Sequence, residues 1–208
     1  LLNISFAGQH ETYLNVIGEN EVIKKVQKCW SSLFTPWAMF YRRRVGLPHE
    51  RVFMSVAVQR MVDAKAAGVM FTIHPVTGEE DKILIEGSWG LGKAVVSGEV
   101  TPDEWIVNKN TLEIVERRIV EKAVEYTRDP ETGETICAEV PLERRKTPCL
   151  TDEEVKKLAE LGIKIEEHYE RPQDIEWAID KHLPFPDNVF IVQSRPETVW
   201  STLDVSRT

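Results

Sequence analysis

Apolar positions in the first quarter of the chain follow a helical period. From Glu21, Val22, Val26, Cys29, Trp30 and Leu33 recur at i, i+4, i+7, i+8 and i+11, the buried stripe of an amphipathic helix. Thr35 followed by Pro36 is an N-cap with proline at the first helical position, so a second helix starts there. It ends on the solvated run Arg42-Arg43-Arg44, where cations suit the helix dipole, and Gly46 and Pro48 stop it. The middle of the chain switches to strand-like patterning. Val52 to Val62, Ala67 to Ile73 and Ile83 to Ile85 are β-branched and apolar, while Glu104 to Val107 and Ile114 to Val120 alternate. Residues 126–149 are polar, carry Asp129-Pro130 and Thr132-Gly133, and read as a long loop excursion. Thr151 and Glu154 form a capping box that opens a helix with Val155, Leu158, Ala159 and Ile165 inward. Two last strands, about 173–179 and 189–195, flank a proline-rich connection at 180–188. The elements interleave without a regular β-α-β rhythm, which predicts an α+β fold, an antiparallel-rich sheet with flanking helices.

Composition narrows the function. With 208 residues and 42% hydrophobic content the chain can bury a sizeable core. A formal charge of -8 argues against a nucleic-acid-binding module, although a local pocket can still be positive. No apolar run approaches the ~20 residues needed to span a bilayer, so no membrane helix is expected. Cys29, Cys137 and Cys149 form no C-x-x-C pair, which disfavours a disulfide framework or structural zinc and suits a reducing cytoplasm. The opening Leu1-Leu2-Asn3, without Met, reads as one part of a larger polypeptide.

The last two strands carry the most chemistry. Alternation puts Asp174 and Glu176 on one face, with Ile175, Trp177 and Ile179 on the other, and it groups Gln193, Arg195 and Ile191. Paired as an antiparallel hairpin, the strands set Glu176 opposite Gln193 and Asp174 opposite Arg195. Oxygen ligands of that kind suit Mg²⁺, and the guanidinium fork suits phosphate oxygens. The same residues also fit a solvated edge carrying an Asp174–Arg195 ion pair. Gly87-Ser88-Trp89-Gly90-Leu91-Gly92-Lys93 follows a strand but is neither a Walker loop nor a dinucleotide fingerprint, and a turn is the simpler reading. Gln59-Arg60-Met61-Val62 lies at a strand end where backbone groups could read a purine edge, while a core methionine is the simpler reading of the residues alone. The five histidines lack zinc spacing, and His74, beside Pro75, reads as structural.

Seven blocks occur in order: Ser5-Phe6-Ala7-Gly8-Gln9-His10-Glu11-Thr12, Gln59-Arg60-Met61-Val62, Ala67-Gly68-Val69-Met70-Phe71-Thr72, Ser88-Trp89-Gly90-Leu91-Gly92, Thr101-Pro102-Asp103-Glu104, Asp174-Ile175-Glu176-Trp177 and Gln193-Ser194-Arg195-Pro196-Glu197-Thr198. Together they resemble the ATP-binding domain of the pyruvate phosphate dikinase family, which includes phosphoenolpyruvate synthases. The resemblance implies an ATP-grasp fold of which this chain is the C-terminal portion. Residues 1–50 would supply the phosphate loop and a helical segment, 51–125 a sheet with the adenine hinge, 126–150 the loop excursion, and 151–200 the capped helix and metal hairpin. It further implies Glu176 and Gln193 as magnesium ligands, Arg195 as the catalytic contact to the ATP phosphates, and Asp174 as their support. Gln59, Met61 and Val62 would form the hinge, and the Gly8 loop would cover the terminal phosphates through Gln9 and Thr12. The cofactors implied are ATP and Mg²⁺. The partners are a phosphohistidine carrier and a substrate domain, in the same chain or another subunit, with pyruvate as final acceptor. Relatives with rifamycin or phenol as acceptor, or a regulatory subunit that keeps the fold, are the alternatives. Two departures stand out: Lys93 replaces the family's usual glutamate, and an upstream segment with a phosphate-gripping lysine and arginine is missing. The chain alone is therefore expected to bind ATP weakly and to complete no catalytic cycle.

Overall fold

The structure, a computed structural model, describes residues 11–96, 98–198 and 200. It divides into two compact units. One runs to Met61 and takes in Pro130–Glu134, and the other comprises Val62–Asp129 and the chain from Thr135 onward.

In the first unit, helix α1 spans Glu19–Ser31 and helix α2 spans Pro36–Arg44. The Thr35 hydroxyl accepts from the Ala38 N–H at 3.3 Å, the N-cap bond expected of Thr-Pro. Cys29 and Leu33 are buried as the periodicity requires, but Trp30 is half exposed. Arg42 departs from the expected solvated helix end. Its guanidinium is buried, donating to the Leu33 carbonyl and, at 3.1 Å, to His49 Nδ1. Residues 52–62 form no strand. A strand exists by pairing its backbone groups, and among the described residues this segment has no ladder partner.

The second unit is built on a six-stranded sheet. Its strands are β1 (Ala64–Phe71), β2 (Lys82–Trp89), β3 (Asp103–Asn108), β4 (Ile114–Arg118), β7 (Gln173–Asp180) and β8 (Val189–Pro196). They lie in the order β4-β3-β2-β1-β7-β8, and every neighbouring pair is antiparallel. The expected loop at 126–149 instead holds a hairpin, β5 (Val124–Arg128) and β6 (Thr135–Glu139), followed by the short helix α4 (Leu142–Arg145). Asp129-Pro130 and Thr132-Gly133 are its turn, so the polarity there marks a solvated ribbon.

Helix α5 (Asp152–Tyr169) opens with the full capping box. Thr151 Oγ1 accepts from the Glu154 N–H at 3.2 Å, and Glu154 Oε2 accepts from the Thr151 N–H at 2.9 Å. Burial gives Glu154 two further donors, Lys65 Nζ at 2.7 Å and Asn188 Nδ2 at 3.0 Å. One carboxylate thus ties the helix start to β1 and to the β7–β8 connection. Val155, Leu158 and Ala159 of α5 share one core with Met70, Ile83, Ile85, Trp105, Val107, Ile175, Trp177 and Ile179. Gly87 permits this packing, since a Cβ there would lie 2.6 Å from the Trp177 ring. Trp177 completes its own bonding by donating Nε1–H to the Val69 carbonyl at 3.0 Å. No helix among the described residues is long and apolar enough to cross a membrane.

Candidate functional site

With one face of the sheet committed to α5 and the core, alternation sends every second side chain to the opposite face. Register then places one row across all six strands. Arg118 pairs with Glu104, Glu104 with Glu86, Glu86 with Val69, Val69 with Glu176, and Glu176 with Gln193. One step along the same face, Phe71 pairs with Asp174 and Asp174 with Arg195. The hairpin register expected from sequence is therefore the observed one. Ile191 is a correction. The register shifts after the Glu176–Gln193 pair, so Ile191 sits opposite Trp177 and packs against the core instead of sharing the Gln193 face. A one-residue bulge at Val192 breaks the alternation that sequence reading assumes.

The carboxylates in this row fall into two kinds. Asp174 is held by Arg195, whose Nε and Nη2 both donate to Asp174 Oδ2, at 2.8 and 2.6 Å. Glu104 is held by Arg118, whose Nε and Nη2 donate to its two oxygens, Oε2 and Oε1. Among the described residues, neither Glu176 nor Glu86 has a hydrogen-bond or ion-pair partner for its side chain. Both are half-buried. Burial raises the Glu176 carboxyl above the ordinary carboxylate range, with Arg195 pulling it back and Asp174 adding to the rise. Burial also raises Glu86, reinforced by Glu104 and opposed by Arg118. A desolvated acceptor with nothing to accept is costly in a folded protein, and such exceptions concentrate where ligands bind. The Asp174–Arg195 ion pair that a solvated edge would carry does exist, and it fixes the guanidinium on the same face as Glu176.

The other expected site residues are distributed as follows. Gln59 and Met61 are exposed in the first unit, so Met61 is no core methionine, and the unit boundary falls between Met61 and Val62. Val62 is half-buried in the second unit. Thr12 is exposed, while Gly8 and Gln9 lie outside the described residues. Lys93 opens the short helix α3 (Lys93–Val96) with its ammonium 5.4 Å from the Tyr126 ring centroid. His74 is structural as expected, its Nδ1 accepting from the Val76 and Thr77 N–H groups at 3.3 and 3.2 Å. Sequence reading missed Glu86 and Glu104. The available signal was a lone glutamate in the apolar run Ile83-Leu84-Ile85-Glu86, an acid on a strand otherwise built for burial.

Along residues 1–208 the chain matches the family described as pyruvate phosphate dikinase, AMP/ATP-binding domain. It is 52% identical, over 95% of its length, to the probable phosphoenolpyruvate synthase of Staphylothermus marinus, of which it covers 26%. Against the phosphoenolpyruvate synthase of Aeropyrum pernix it is 50% identical over 95% of its length, covering 27% of that protein. Against that of Pyrococcus furiosus it is 51% identical over 93%, covering 24%. The chain thus spans about a quarter of the length of these curated relatives. The ordered blocks, the antiparallel sheet with its flanking helices and a match that runs from end to end agree, and the chain belongs to the pyruvate phosphate dikinase AMP/ATP-binding domain family.

Proposed function

We propose that this chain is the ATP-binding part of a phosphoenolpyruvate synthase-like phosphotransferase with an ATP-grasp arrangement. In this reading MgATP lies on the open face of the six-stranded sheet. Its phosphoryl group passes to a carrier histidine on another domain and finally to pyruvate. The observation that carries the reading is Glu176, a half-buried carboxylate without a partner among the described residues, set opposite the Gln193 amide and beside an arginine already oriented by Asp174.

The donor set fits magnesium. Glu176 offers carboxylate oxygens and Gln193 an amide oxygen to a hard cation, and Arg195 is bonded to Asp174 rather than to Glu176. No cluster of three or more His, Cys, Asp or Glu among the described residues is placed to hold a metal ion. Mg²⁺ asks for less, since it takes one or two protein ligands and fills its shell with water and substrate phosphates. When bound, the ion supplies neutralisation of phosphate charge. The protein's own contribution is orientation. The Asp174 carboxylate holds Arg195 through one edge of the guanidinium and leaves Nη1 for a phosphate oxygen. Val69 and Phe71, paired in register with Glu176 and Asp174, put apolar side chains on the same face beside these groups.

Thermal melting with and without MgATP tests this reading. A ligand that binds only the native state adds about 2.7 kcal/mol at a hundredfold excess over Kd. For a chain of this size that raises the midpoint by about 5–10 °C. The shift should require Mg²⁺ and vanish in Glu176→Ala. A shift that survives in Glu176→Ala would place the nucleotide elsewhere.

A further inference from the structure

Val62 lies half-buried just before β1, and among the described residues neither its N–H nor its C=O takes part in a hydrogen bond. A backbone donor and a backbone acceptor are what the edge of adenine requires, since it presents an amino group beside a ring nitrogen. Such groups contribute most when they are held in place before the ligand arrives, because ordering them on binding costs conformational entropy. No ladder does this here, as residues 52–62 form no strand.

The next residue is held from three sides. The Asp63 carbonyl accepts from the Lys181 N–H at 3.0 Å, its Oδ1 lies 2.6 Å from the Lys181 ammonium, and its Oδ2 accepts from His182 Nε2 at 2.8 Å. Burial pushes the Asp63 carboxyl up, but the bonds from Lys181 and His182 outweigh it and hold the group below the ordinary carboxylate range. The turn that carries these partners is itself fixed. Asp180 Oδ1 accepts from the His182 and Leu183 N–H groups at 2.8 and 3.2 Å, and the Asp180 N–H donates to the Asn188 carbonyl at 2.8 Å. Asn188 in turn bonds Glu154, the capping residue of α5. A single half-exposed ion pair is weak, whereas three bonds from one anchored turn onto one residue leave its main chain little freedom.

We infer that Asp63 is a positioning residue for the nucleotide base: clamped by Lys181 and His182, it holds the Val62 main chain where it can bond the adenine edge. The direction of β1 agrees. It runs from Asp63 to Val69, in register with Glu176, and on to Phe71, in register with Asp174. Base and phosphates of a nucleotide on this face are then governed from opposite ends of one strand. This inference rests on the MgATP reading above and adds the residue that controls recognition of the base.

Isothermal titration calorimetry on the chain compares MgATP with magnesium tripolyphosphate, which carries the phosphates and no base. Asp63→Ala should weaken MgATP about five- to thirtyfold, the cost of ordering one main-chain residue expressed as affinity, and leave tripolyphosphate unchanged. Lys181→Met combined with His182→Ala should do the same with Asp63 intact, and it decides the matter if Asp63→Ala fails to melt cooperatively. Equal weakening of both ligands would make the clamp merely structural, and unchanged MgATP affinity would also overturn the assignment. Should the unsubstituted chain bind both ligands equally, the base is not read and this inference alone falls. Failure of the unsubstituted chain to bind either ligand is a different result, and it removes the MgATP reading as well.

Discussion

Lys122 and Asp103 form an ion pair at 2.6 Å with both side chains at 0% exposure, and its removal gives the most quantitative test of the packing described here. Asp103 is well supplied. Its Oδ1 also accepts from the Val120 N–H and its Oδ2 from the Cys149 N–H, both at 3.0 Å. Lys122 has its second bond to the Val120 carbonyl at 2.8 Å. The pair therefore pins β3 to the segment after β4 and to the loop that leads into α5. In Lys122→Met the carboxylate keeps two backbone donors and loses its only counter-ion among the described residues, in a dry site. Breaking a buried pair from one side costs about 3–5 kcal/mol. At about 2–4 °C per kcal/mol for this chain length, the midpoint should fall by about 6–20 °C. Asp103→Asn together with Lys122→Met removes both charges and should recover a large part of that loss, a coupling read from a double-mutant cycle by urea unfolding. A Lys122→Met cost below about 1 kcal/mol, or strict additivity of the two substitutions, would refute the reasoning.

Three further outcomes follow from the same structure. Burial holds the Glu176 carboxyl above its ordinary range, so over that window the folded chain binds a proton more readily than the unfolded one. Its contribution therefore declines as pH rises from the ordinary carboxylate value through the raised folded value, and Glu176→Gln should flatten that decline in melting scans across pH; an unaltered slope would contradict it. Gly87→Ala should destabilise by about 1–3 kcal/mol in denaturant titrations, because the new methyl collides with the Trp177 ring, and a neutral result would mean the ring yields freely. Iodoacetamide should label exposed Cys137 in the native chain and spare Cys149, whose thiol burial pushes well up, with the Asp103 charge adding to the rise; rapid labelling of Cys149 would show that the loop opens.

Much of this was legible where local physics and tertiary physics coincide. The Thr35-Pro36 and Thr151…Glu154 signals became N-caps with the expected bonds, because capping depends on residues three apart. The last hairpin was readable because alternation and the short proline-rich connection fix register. Where partners lie far away in the chain, the sequence was ambiguous. Val52 to Val62 has strand composition, yet composition supplies no ladder. The polar stretch 126–149 hides a ribbon because a solvated hairpin lacks the apolar face that announces a strand. Arg42 looked like any cation in a last turn, and only the fold brings the Leu33 carbonyl and His49 to it. Ile191 changed faces through a bulge that no residue type signals. Glu86 and Glu104 joined the candidate site for a related reason. Their place in one row with Glu176 is set by the register of six strands, which no stretch of sequence contains.

The central claim, that Glu176 and Gln193 face the metal of a bound nucleotide, is tested most directly with manganese in place of magnesium. Substoichiometric Mn²⁺ with a non-hydrolysable ATP analogue should broaden the side-chain amide signals of Gln193 and the backbone signals of Glu176 and Asp174 in NMR spectra. The effect should be absent when Mn²⁺ is added to Glu176→Ala with the same analogue. Broadening confined to residues away from the β7–β8 hairpin, with Gln193 unaffected, would contradict the account.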